Sequence, residues 1–490
     1  MNAVIKTSHL AYDAFSAAGI TQDLDWARKI ILPFKLFDYQ TYALHLSFKY
    51  SRFGLFLDCG LGKTIVMQLN AIYQAHYGIR VLVTMPPSLF DQFEESYAEI
   101  KGNTPELFMF NDPLKIRKQY IEHFNKQNKW PPILAMSLNI FRKYWRLFRK
   151  VGYSSLIADE SHIALANDSS KTYEYVTELL KGDTRLILSS ATPVPGGAEN
   201  AYGPIKLINP EAYEDRLLYD RIHLIKKRLP GTRNFLVVGY RDLNIVNESL
   251  MKQAIRLKYS DVVGSKPPNI QSISVTLSPE HRKLYRTLMK EKIIERKEEL
   301  ITALNIQKLY QLAQQLTSNP NNFSDTKISN YLYDELNNLL ISLKADSEEK
   351  VIIFGNYRIT LENLKEHFKK YIPAIIYGGS DSNKELKKFK TDCSCRIALI
   401  NYKSGGAGLS LEKQSASIVL FEPPASPTTF EQACSRVIRH GQLKDIRIFL
   451  LAARGTYMQK NVDNLIDRKD FYKQMMGDVN NLLDNLLPEQ

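Results

Sequence analysis

The chain has 490 residues, more than the roughly 250 to 300 at which one hydrophobic core stops growing, so two or three domains are expected. Hydrophobic residues make up 44% and charged residues 24%, and no apolar run approaches the ~18 residues that span a membrane. The N-terminus lacks a secretory signal pattern, and the four cysteines are too scattered for a disulfide framework or a zinc site. These features exclude membrane proteins and disulfide-stabilised secreted proteins, and they favour a reducing, cytoplasmic location.

The formal net charge is +13, from 65 Lys and Arg residues against 52 Asp and Glu residues. A positive surface attracts phosphates and releases their counterions, so this charge favours a polyanionic partner. Many basic proteins bind no nucleic acid, however, and charge alone does not decide the partner.

Strand-like apolar runs alternate with helical stretches in two blocks, the pattern that forms parallel sheets with helices on both faces. The predicted strands of the first block are Phe53–Leu57, Val81–Met85, Ile133–Met136, Leu156–Ala158 and Leu186–Ser189. Those of the second block are Val351–Phe354, Ala374–Tyr377, Ile397–Ile400, Ile418–Phe421 and Ile446–Leu451. Between the blocks, charged and helix-forming residues predominate. The sequence predicts an α/β protein with two parallel-sheet lobes in tandem and a largely helical insertion between them.

The predicted domains are an N-terminal extension (1–32), lobe 1 (33–210), the helical insertion (211–350), lobe 2 (351–455) and a C-terminal helical tail (456–490). The tail is predicted to close as an amphipathic helix from the spacing of four leucines, Leu482, Leu483, Leu486 and Leu487. In lobe 1, Phe141, Trp145 and Phe148 fall at i, i+4 and i+7 within a basic stretch. This spacing predicts a helix that buries its aromatic side, and the alternative is a nucleic-acid groove.

A glycine-rich stretch follows the first predicted strand and reads Gly60-Leu61-Gly62-Lys63-Thr64. Glycines let backbone N–H groups approach phosphate oxygens, and the helix that follows presents its positive N-terminus. Lys63 is suited to reach the β and γ phosphates, and the Thr64 hydroxyl is suited to ligate Mg²⁺. The stretch therefore predicts a nucleotide-binding loop, although Leu57 stands where such loops have a small residue.

The predicted strand Leu156–Ala158 runs directly into Asp159 and Glu160, at the strand end where open α/β sheets gather their ligands. Asp159 is suited to hold Mg²⁺, and Glu160 to orient and deprotonate the water that attacks the γ phosphate. The alternative is an acidic surface turn or a helix cap.

Two further groups of polar residues accompany this site. The strand Leu186–Ser189 ends in Ser190-Ala191-Thr192-Pro193. The hydroxyls of this segment are suited to form hydrogen bonds that link the state of the bound phosphates to movement between the lobes. The alternative is an ordinary polar loop. Upstream, the amide of Gln40 offers the donor and the acceptor that the edge of adenine requires, with a surface helix residue as the alternative.

In the second block, Arg436 and Arg439 lie three residues apart and would share one face of a helix. Guanidinium groups delivered across a cleft stabilise the charge of a transferring phosphoryl group. The alternative is a basic, solvated helix face. The loop Ser404–Leu409 follows the strand Ile397–Ile400. Like the glycine-rich loop of the first block, it is predicted to bring its backbone close to a ligand.

The order of these segments resembles superfamily 2 helicase-type ATPases, and their details look most like the Swi/Snf-type branch. In that resemblance, Leu36–Gln40 is the adenine motif and Gly60–Thr64 is Walker A. Asp159–His162 is a DEAH-like Walker B. Ser190–Pro193 and His162 are the residues that couple the two lobes. Phe354–Tyr357 opens the second lobe, Gly405–Leu409 is motif five and Gln432–Gln442 is motif six.

The resemblance implies RecA-like lobes, ATP and Mg²⁺ as cofactors, and Mg²⁺ held through Thr64 and Asp159. It also places Gly408 and Gln432 at the nucleotide. The nucleic-acid contacts that it implies are Pro86, Ser88, Leu89, Lys403 and Ser404.

Three departures from the branch pattern leave every catalytic group in place: Leu57, Ser161, and Ala425-Ser426-Pro427 in place of Trp-Asn-Pro. They suggest a compact, divergent member of viral or phage type, which would place it in the infected host cytoplasm or at the nucleoid.

The expected function is an ATP-driven DNA translocase or helicase that acts on duplex or branched DNA in replication, recombination or repair. Contacts to the DNA backbone, independent of base sequence, suit a motor that must step along any sequence. No membrane partner is expected, and no protein partner is predicted. The alternatives are an RNA helicase, the motor subunit of a restriction-type complex, and a non-hydrolysing nucleic-acid clamp.

Overall fold

The computed structural model describes residues 9–58, 60–182, 184–228, 235–258, 262, 268–296, 299–302, 306–378, 381–402, 411–438, 442 and 444–476. Its contacts divide the chain into two compact units, the first made of residues 1–264 and 472–490 and the second of residues 265–471. None of the described helices is both long enough and apolar enough to cross a lipid bilayer.

The first unit is built on a seven-stranded sheet in the order β12-β3-β9-β8-β4-β7-β6, with every neighbouring pair parallel. Its strands are β1 (His9–Leu10), β2 (Ile30–Leu32), β3 (Arg52–Leu57), β4 (Arg80–Thr84), β5 (Lys101–Gly102), β6 (Leu107–Met109), β7 (Ile133–Met136), β8 (Tyr153–Ala158), β9 (Arg185–Ser189), β10 (Leu224–Arg228), β11 (Phe235–Tyr240) and β12 (Ala254–Leu257). Strands β1, β2 and β5 form a small antiparallel sheet, and β10 and β11 form a hairpin.

The helices of the first unit flank this sheet. They are α1 (Ala11–Ala17), α2 (Asp38–Lys49), α3 (Lys63–His76), α4 (Phe90–Glu99), α5 (Leu114–Gln127), α6 (Leu138–Lys150), α7 (His162–Leu165), α8 (Lys171–Leu179), α9 (Tyr202–Ile208), α10 (Arg216–His223) and α11 (Leu243–Met251). Helix α6 buries Phe141, Trp145 and Phe148, which confirms the amphipathic helix predicted from their spacing. Ser137 caps it, since its hydroxyl accepts a hydrogen bond from the backbone N–H of Ile140.

The second unit contains a six-stranded sheet in the order β13-β20-β19-β16-β18-β17, again entirely parallel. Its strands are β13 (Asn269–Val275), β14 (Ile293–Arg296), β15 (Glu299–Thr302), β16 (Val351–Gly355), β17 (Ala374–Ile376), β18 (Ile397–Asn401), β19 (Ser417–Leu420) and β20 (Arg447–Ala453). Its helices are α12 (Pro279–Glu291), α13 (Ile306–Ser318), α14 (Tyr331–Ser342), α15 (Arg358–His367), α16 (Ser382–Thr391), α17 (Pro427–Cys434) and α18 (Tyr457–Met476). Two apolar clusters lie on opposite faces of the central strands.

All ten strands predicted from apolar runs are present, and the two parallel-sheet lobes are confirmed. The described residues of the stretch 211–350 form helices α10 to α14 and also strands β10 to β15, of which β12 is an edge strand of the first sheet and β13 an edge strand of the second. The leucines predicted to close the C-terminal tail, Leu482, Leu483, Leu486 and Leu487, lie outside the described residues.

Candidate nucleotide site

The glycine-rich loop joins β3 to α3 and depends on a left-handed backbone. Gly60 has a φ of 87° and Gly62 a φ of 77°, conformations that residues with a Cβ rarely adopt. A Cβ at position 62 would also lie 2.3 Å from Nε2 of Gln40. The backbone conformation therefore favours glycine at position 62, and a larger residue would also have to displace the Gln40 amide; the loop ends at the N-terminus of α3.

Lys63 is the first residue of α3, and its ammonium group donates a hydrogen bond of 2.7 Å to the carbonyl oxygen of Leu57. This carbonyl is the last of β3, so the cation is held at the mouth of the loop. Thr64 follows in the first turn of the helix, where the positive end of the helix dipole favours anions. Lys63 and Thr64 thus lie at the anion-favouring end of α3.

Gln40 is nearly fully buried beside the loop, with an exposed fraction of 2%. Its amide nitrogen donates to the carbonyl of Leu61 (3.1 Å), and its amide oxygen accepts from the N–H of Phe37 (3.0 Å). The side chain therefore ties the start of α2 to the phosphate loop, a support that the sequence did not indicate. Its contact with adenine remains a prediction.

Asp159 follows β8 and is buried, with an exposed fraction of 7%. Its Oδ1 accepts hydrogen bonds from the hydroxyl of Ser189 (2.8 Å) and from the backbone N–H of Glu160 (3.0 Å). Burial raises the pKa of Asp159, the adjacent Glu160 charge raises it further, and the Lys63 ammonium opposes the rise. Lys63 and Asp159 lie at the carboxyl ends of β3 and β8, two parallel strands of the same sheet.

Glu160 adopts a left-handed backbone with a φ of 48°, which few residues other than glycine adopt. One of its carboxylate oxygens lies 3.4 Å from Nδ1 of His162. The same ring nitrogen lies 2.9 Å from the hydroxyl of Ser190, which also accepts the backbone N–H of Thr192 (3.0 Å). The three residues predicted to couple the site therefore form one chain of contacts that starts at Glu160.

His162 is buried, and its desolvation lowers its pKa to about 4. The imidazole is therefore neutral near pH 7, and its contact with Glu160 is not a salt bridge in spite of the short distance. Both contacts are made by Nδ1, so this nitrogen donates to Glu160 or Ser190 when it carries the proton and accepts from the Ser190 hydroxyl when the proton is on Nε2.

The donor set fits a nucleotide held with Mg²⁺. No group of three or more His, Cys, Asp or Glu side chains able to hold a metal ion occurs among the residues described. Mg²⁺ normally uses one or two carboxylates and completes its shell with phosphate oxygens and water, so Asp159 with Thr64 suffices. The buried Asp159 carboxylate also gains from a neighbouring cation, because its charged form is destabilised by burial.

The predicted nucleic-acid residues of the first unit follow β4. Pro86 precedes a short 3-10 helix, Pro87–Leu89, that contains Ser88. The N–H of Asp159 donates to the carbonyl of Thr84 (2.8 Å), so the two segments leave the sheet at the same carboxyl edge. The remaining predicted contacts, Lys403 and Ser404, lie outside the described residues, as does Gly408.

The motif-six segment begins in α17, where Gln432 lies one turn before Arg436. Arg436 is buried, with an exposed fraction of 4%, and its carbonyl accepts the N–H of Leu411 (3.1 Å). This bond ties the motif-six segment to Leu411, two residues after the motif-five segment. Arg439 lies outside the described residues, so the predicted arginine pair is not described as a whole.

Glu422 is a buried carboxylate that the sequence analysis missed. It follows β19, its side chain is completely buried, and desolvation raises its pKa. One carboxylate oxygen accepts the backbone N–H groups of Asn356 (2.6 Å) and Tyr357 (3.2 Å), and the other accepts the hydroxyl of Thr360 (2.8 Å). Glu422 thus fixes the start of α15. An acidic residue placed directly after an apolar strand was the available signal.

Replacing Glu422 by alanine is expected to lower the free energy of unfolding by about 3–5 kcal/mol, because two backbone N–H groups and one hydroxyl lose a buried acceptor. Glu422→Gln keeps one acceptor oxygen and should cost about 1–2 kcal/mol. Chemical denaturation of both variants measures the difference. Equal losses in the two variants would contradict the assigned hydrogen bonds.

Protonation of the buried Glu422 carboxylate makes a contribution to the free energy of unfolding that depends on pH. The folded pKa lies above the ordinary value of 4.5, so the contribution is complete below pH 4.5 and is lost as the pH rises through the folded pKa. The stability of the wild type relative to Glu422→Gln is therefore expected to fall with rising pH.

Two known domain families match the chain in succession. The SNF2-related domain matches residues 43–332, and the helicase conserved C-terminal domain matches residues 331–441. The first match begins before the phosphate loop, and the second ends within motif six. Together they contain nearly all of the segments on which the sequence resemblance was based.

Individual relatives are distant. The chain is 24% identical over 471 residues to a Mycoplasma pneumoniae protein named an uncharacterized ATP-dependent helicase, covering 90% of this chain and 42% of that protein. It is 22% identical over 443 residues to the DNA repair and recombination protein RAD54-like of Drosophila yakuba, covering 80% and 55%. The chain spans about half the length of these curated relatives.

Among solved structures, the Sulfolobus solfataricus SWI2/SNF2 ATPase core in complex with dsDNA aligns with a TM-score of 0.41 and 15% identity, covering 91% of this chain and 93% of that one. The resemblance predicted from the motifs is confirmed by the two domain matches. Since the SNF2-related domain alone matches more than half of its residues, the chain belongs to the SNF2-related family of superfamily 2 helicase-type ATPases.

Proposed function

We propose that this protein is an ATP-driven motor that moves along DNA. The observation that carries the proposal is the convergence of Lys63, Asp159 and Glu160 at one sheet edge, with Glu160 linked through His162 to Ser190. A site of this kind performs phosphoryl transfer mainly by positioning and by neutralising charge. The contact between His162 and Ser190 connects the site of hydrolysis to the segment of the lobe that follows β9.

In this proposal, Lys63 exchanges its contact with the Leu57 carbonyl for the β and γ phosphates of ATP. Thr64 and Asp159 hold Mg²⁺, which supplies neutralisation of charge on the phosphoryl oxygens. Glu160 orients the attacking water and accepts its proton. Gln40 contacts the adenine edge, and Gly60, Leu61 and Gly62 cradle the phosphates with their backbone N–H groups.

The motif-six residues Arg436 and Arg439 are proposed to stabilise the charge of the transferring phosphoryl group, with Gln432 and Gly408 contacting the nucleotide. Guanidinium groups suit this role because they are always charged and bind phosphate oxygens in a bidentate manner. Because the arginines belong to the second lobe, hydrolysis would then depend on lobe movement.

DNA is the proposed track. The chain carries a net charge of +13, which favours a polyanion, and the RAD54-like relative is named a DNA repair and recombination protein. Pro86, Ser88, Leu89, Lys403 and Ser404 are proposed to hold the strand by its backbone, so that any sequence is accepted. Forks and junctions in replication, recombination or repair are the proposed substrates, in the cytoplasm or at the nucleoid.

The test is ATP turnover measured with single-stranded, duplex, forked and four-way DNA and with RNA of matched length. Duplex or branched DNA is expected to raise turnover at least about tenfold over the protein alone, because binding of the track positions the catalytic groups. Stronger stimulation by RNA would replace the DNA proposal with an RNA helicase. Turnover that no nucleic acid changes would overturn the motor proposal.

A further inference from the structure

The second unit carries a basic cleft that none of the predicted motifs includes. The cleft has a volume of 860 Å³ and lies among α12, α13 and the turn from β20 into α18. Of the twelve described residues that line it, five are cations and none is an acid. The cations are Arg282, Arg286, Lys290, Arg454 and Lys460.

Three of these cations form a row along α12. Arg282, Arg286 and Lys290 are spaced i, i+4 and i+8, so they share one helix face over roughly 12 Å. All three are exposed, and no carboxylate in the described part of the chain forms a salt bridge with them. Their charge is therefore available to a ligand.

The basic surface continues beyond the cleft. A second depression of 310 Å³ on the same helix is lined by Arg282, Lys283, Arg286 and Lys290, and Glu291 lies at its end. A compact ligand such as a free nucleotide needs an enclosed pocket. An open depression that extends along a row of cations instead fits an elongated polyanion.

An aromatic pair lines the same cleft. The rings of Tyr310 and Tyr457 stack with centroids 4.4 Å apart and an interplanar angle of 11°. The backbone N–H of Tyr457 donates to the hydroxyl oxygen of the buried Tyr285 (2.8 Å), which fixes the position of this part of the chain. Both stacked rings are only half-buried, so the cleft combines cations with aromatic surface.

We propose that this cleft binds a single-stranded segment of nucleic acid, with phosphates along the α12 cations and a base against the tyrosine pair. Unpaired bases present the flat faces that aromatic rings bind, whereas a duplex buries them in its own stack. The inference rests on the proposed function, because the strand would belong to the track on which the motor acts. It adds a second contact, separate from the residues that follow β4.

The test compares two triple variants of the full chain. R282A/R286A/K290A removes the α12 row, and K384A/K387A/K390A removes the same charge from exposed positions on α16 of the same unit. Fluorescence anisotropy with a labelled oligothymidine of about 16 nucleotides, between about 50 and 200 mM salt, gives the affinity and its salt dependence. Thermal unfolding checks that each variant is folded.

The α12 variant is expected to bind the oligonucleotide at least about tenfold more weakly at low salt, and its salt slope should fall by about 2, since each lost phosphate contact on a single strand removes about 0.7. The α16 variant should keep the slope of the wild type. Tyr310→Leu should weaken single-strand binding about tenfold and leave duplex binding unchanged.

The outcomes separate this inference from the proposed function. If the wild type binds neither single-stranded nor duplex nucleic acid, the proposed function is overturned, and this inference falls with it. If the wild type binds and the α12 and α16 variants lose affinity equally, only this inference is overturned. Loss of duplex binding alone on removal of the α12 row would also overturn it.

Discussion

Glu160→Gln is expected to lower ATP turnover by about 10²- to 10⁴-fold while ATP binding is retained. The glutamine keeps the size of the side chain and its contact with His162, but it does not accept a proton from water. The left-handed backbone and the contacts of Asp159 are unaffected because they involve the backbone of residue 160. Steady-state turnover with stimulating DNA, together with binding of a fluorescent ATP analogue, measures the two effects separately.

The matched control for this variant is Glu178→Gln, which changes an acid on α8 whose salt bridge with Lys181 lies at the surface. It should retain the turnover of the wild type. If Glu160→Gln hydrolyses ATP at the normal rate, Glu160 is not the base. That outcome would favour a clamp that uses ATP as a structural ligand.

Lys63→Ala is expected to abolish measurable hydrolysis, with a loss of at least about 10²- to 10³-fold, because a fixed positive charge is removed from the site of the transferring phosphoryl group. Nucleotide affinity should fall as well, since the lysine contacts phosphates in the ground state and in the transition state. Its partner in this structure is one backbone carbonyl at the loop mouth, so the fold should tolerate the change.

The control for Lys63→Ala is Lys171→Ala, at an exposed position at the start of α8. Isothermal titration with ATP and turnover measurements should distinguish the two variants clearly, and both should bind DNA like the wild type. Near-normal turnover in Lys63→Ala would remove the phosphate-loop assignment. Loss of DNA binding would instead indicate that Lys63 supports the fold of the lobe.

The central strands of both sheets were predictable because parallel strands buried on both faces form continuous apolar runs. The same property located the strand ends, and with them the carboxyl edge where Asp159 and Glu160 lie. Two edge strands, β12 and β13, were missed for the converse reason. β12 is only four residues long and contains Arg256, and β13 leaves most of its residues exposed, so neither has a continuous apolar run.

The supporting contacts of the site were not predictable, because they join residues far apart in the sequence. The Gln40 amide meets a carbonyl 21 residues away, and the Ser189 hydroxyl meets an aspartate 30 residues away. Glu422 reaches Asn356 across 66 residues. A local pattern gives the residue type and the element on which it lies, whereas these partners depend on sheet order and strand register.

Because His162 is neutral, it acts on its neighbours through its hydrogen bonds and not through a net charge. A charged imidazolium would form an ion pair with Glu160, and the strength of that ion pair would vary with pH and with ionic strength. With a pKa of about 4, the ring does not titrate between pH 6 and pH 8, so what can change is whether Nδ1 carries the proton, and with it whether Nδ1 donates to the Ser190 hydroxyl or accepts from it. The contact of His162 with Ser190 should therefore keep its strength between pH 6 and pH 8.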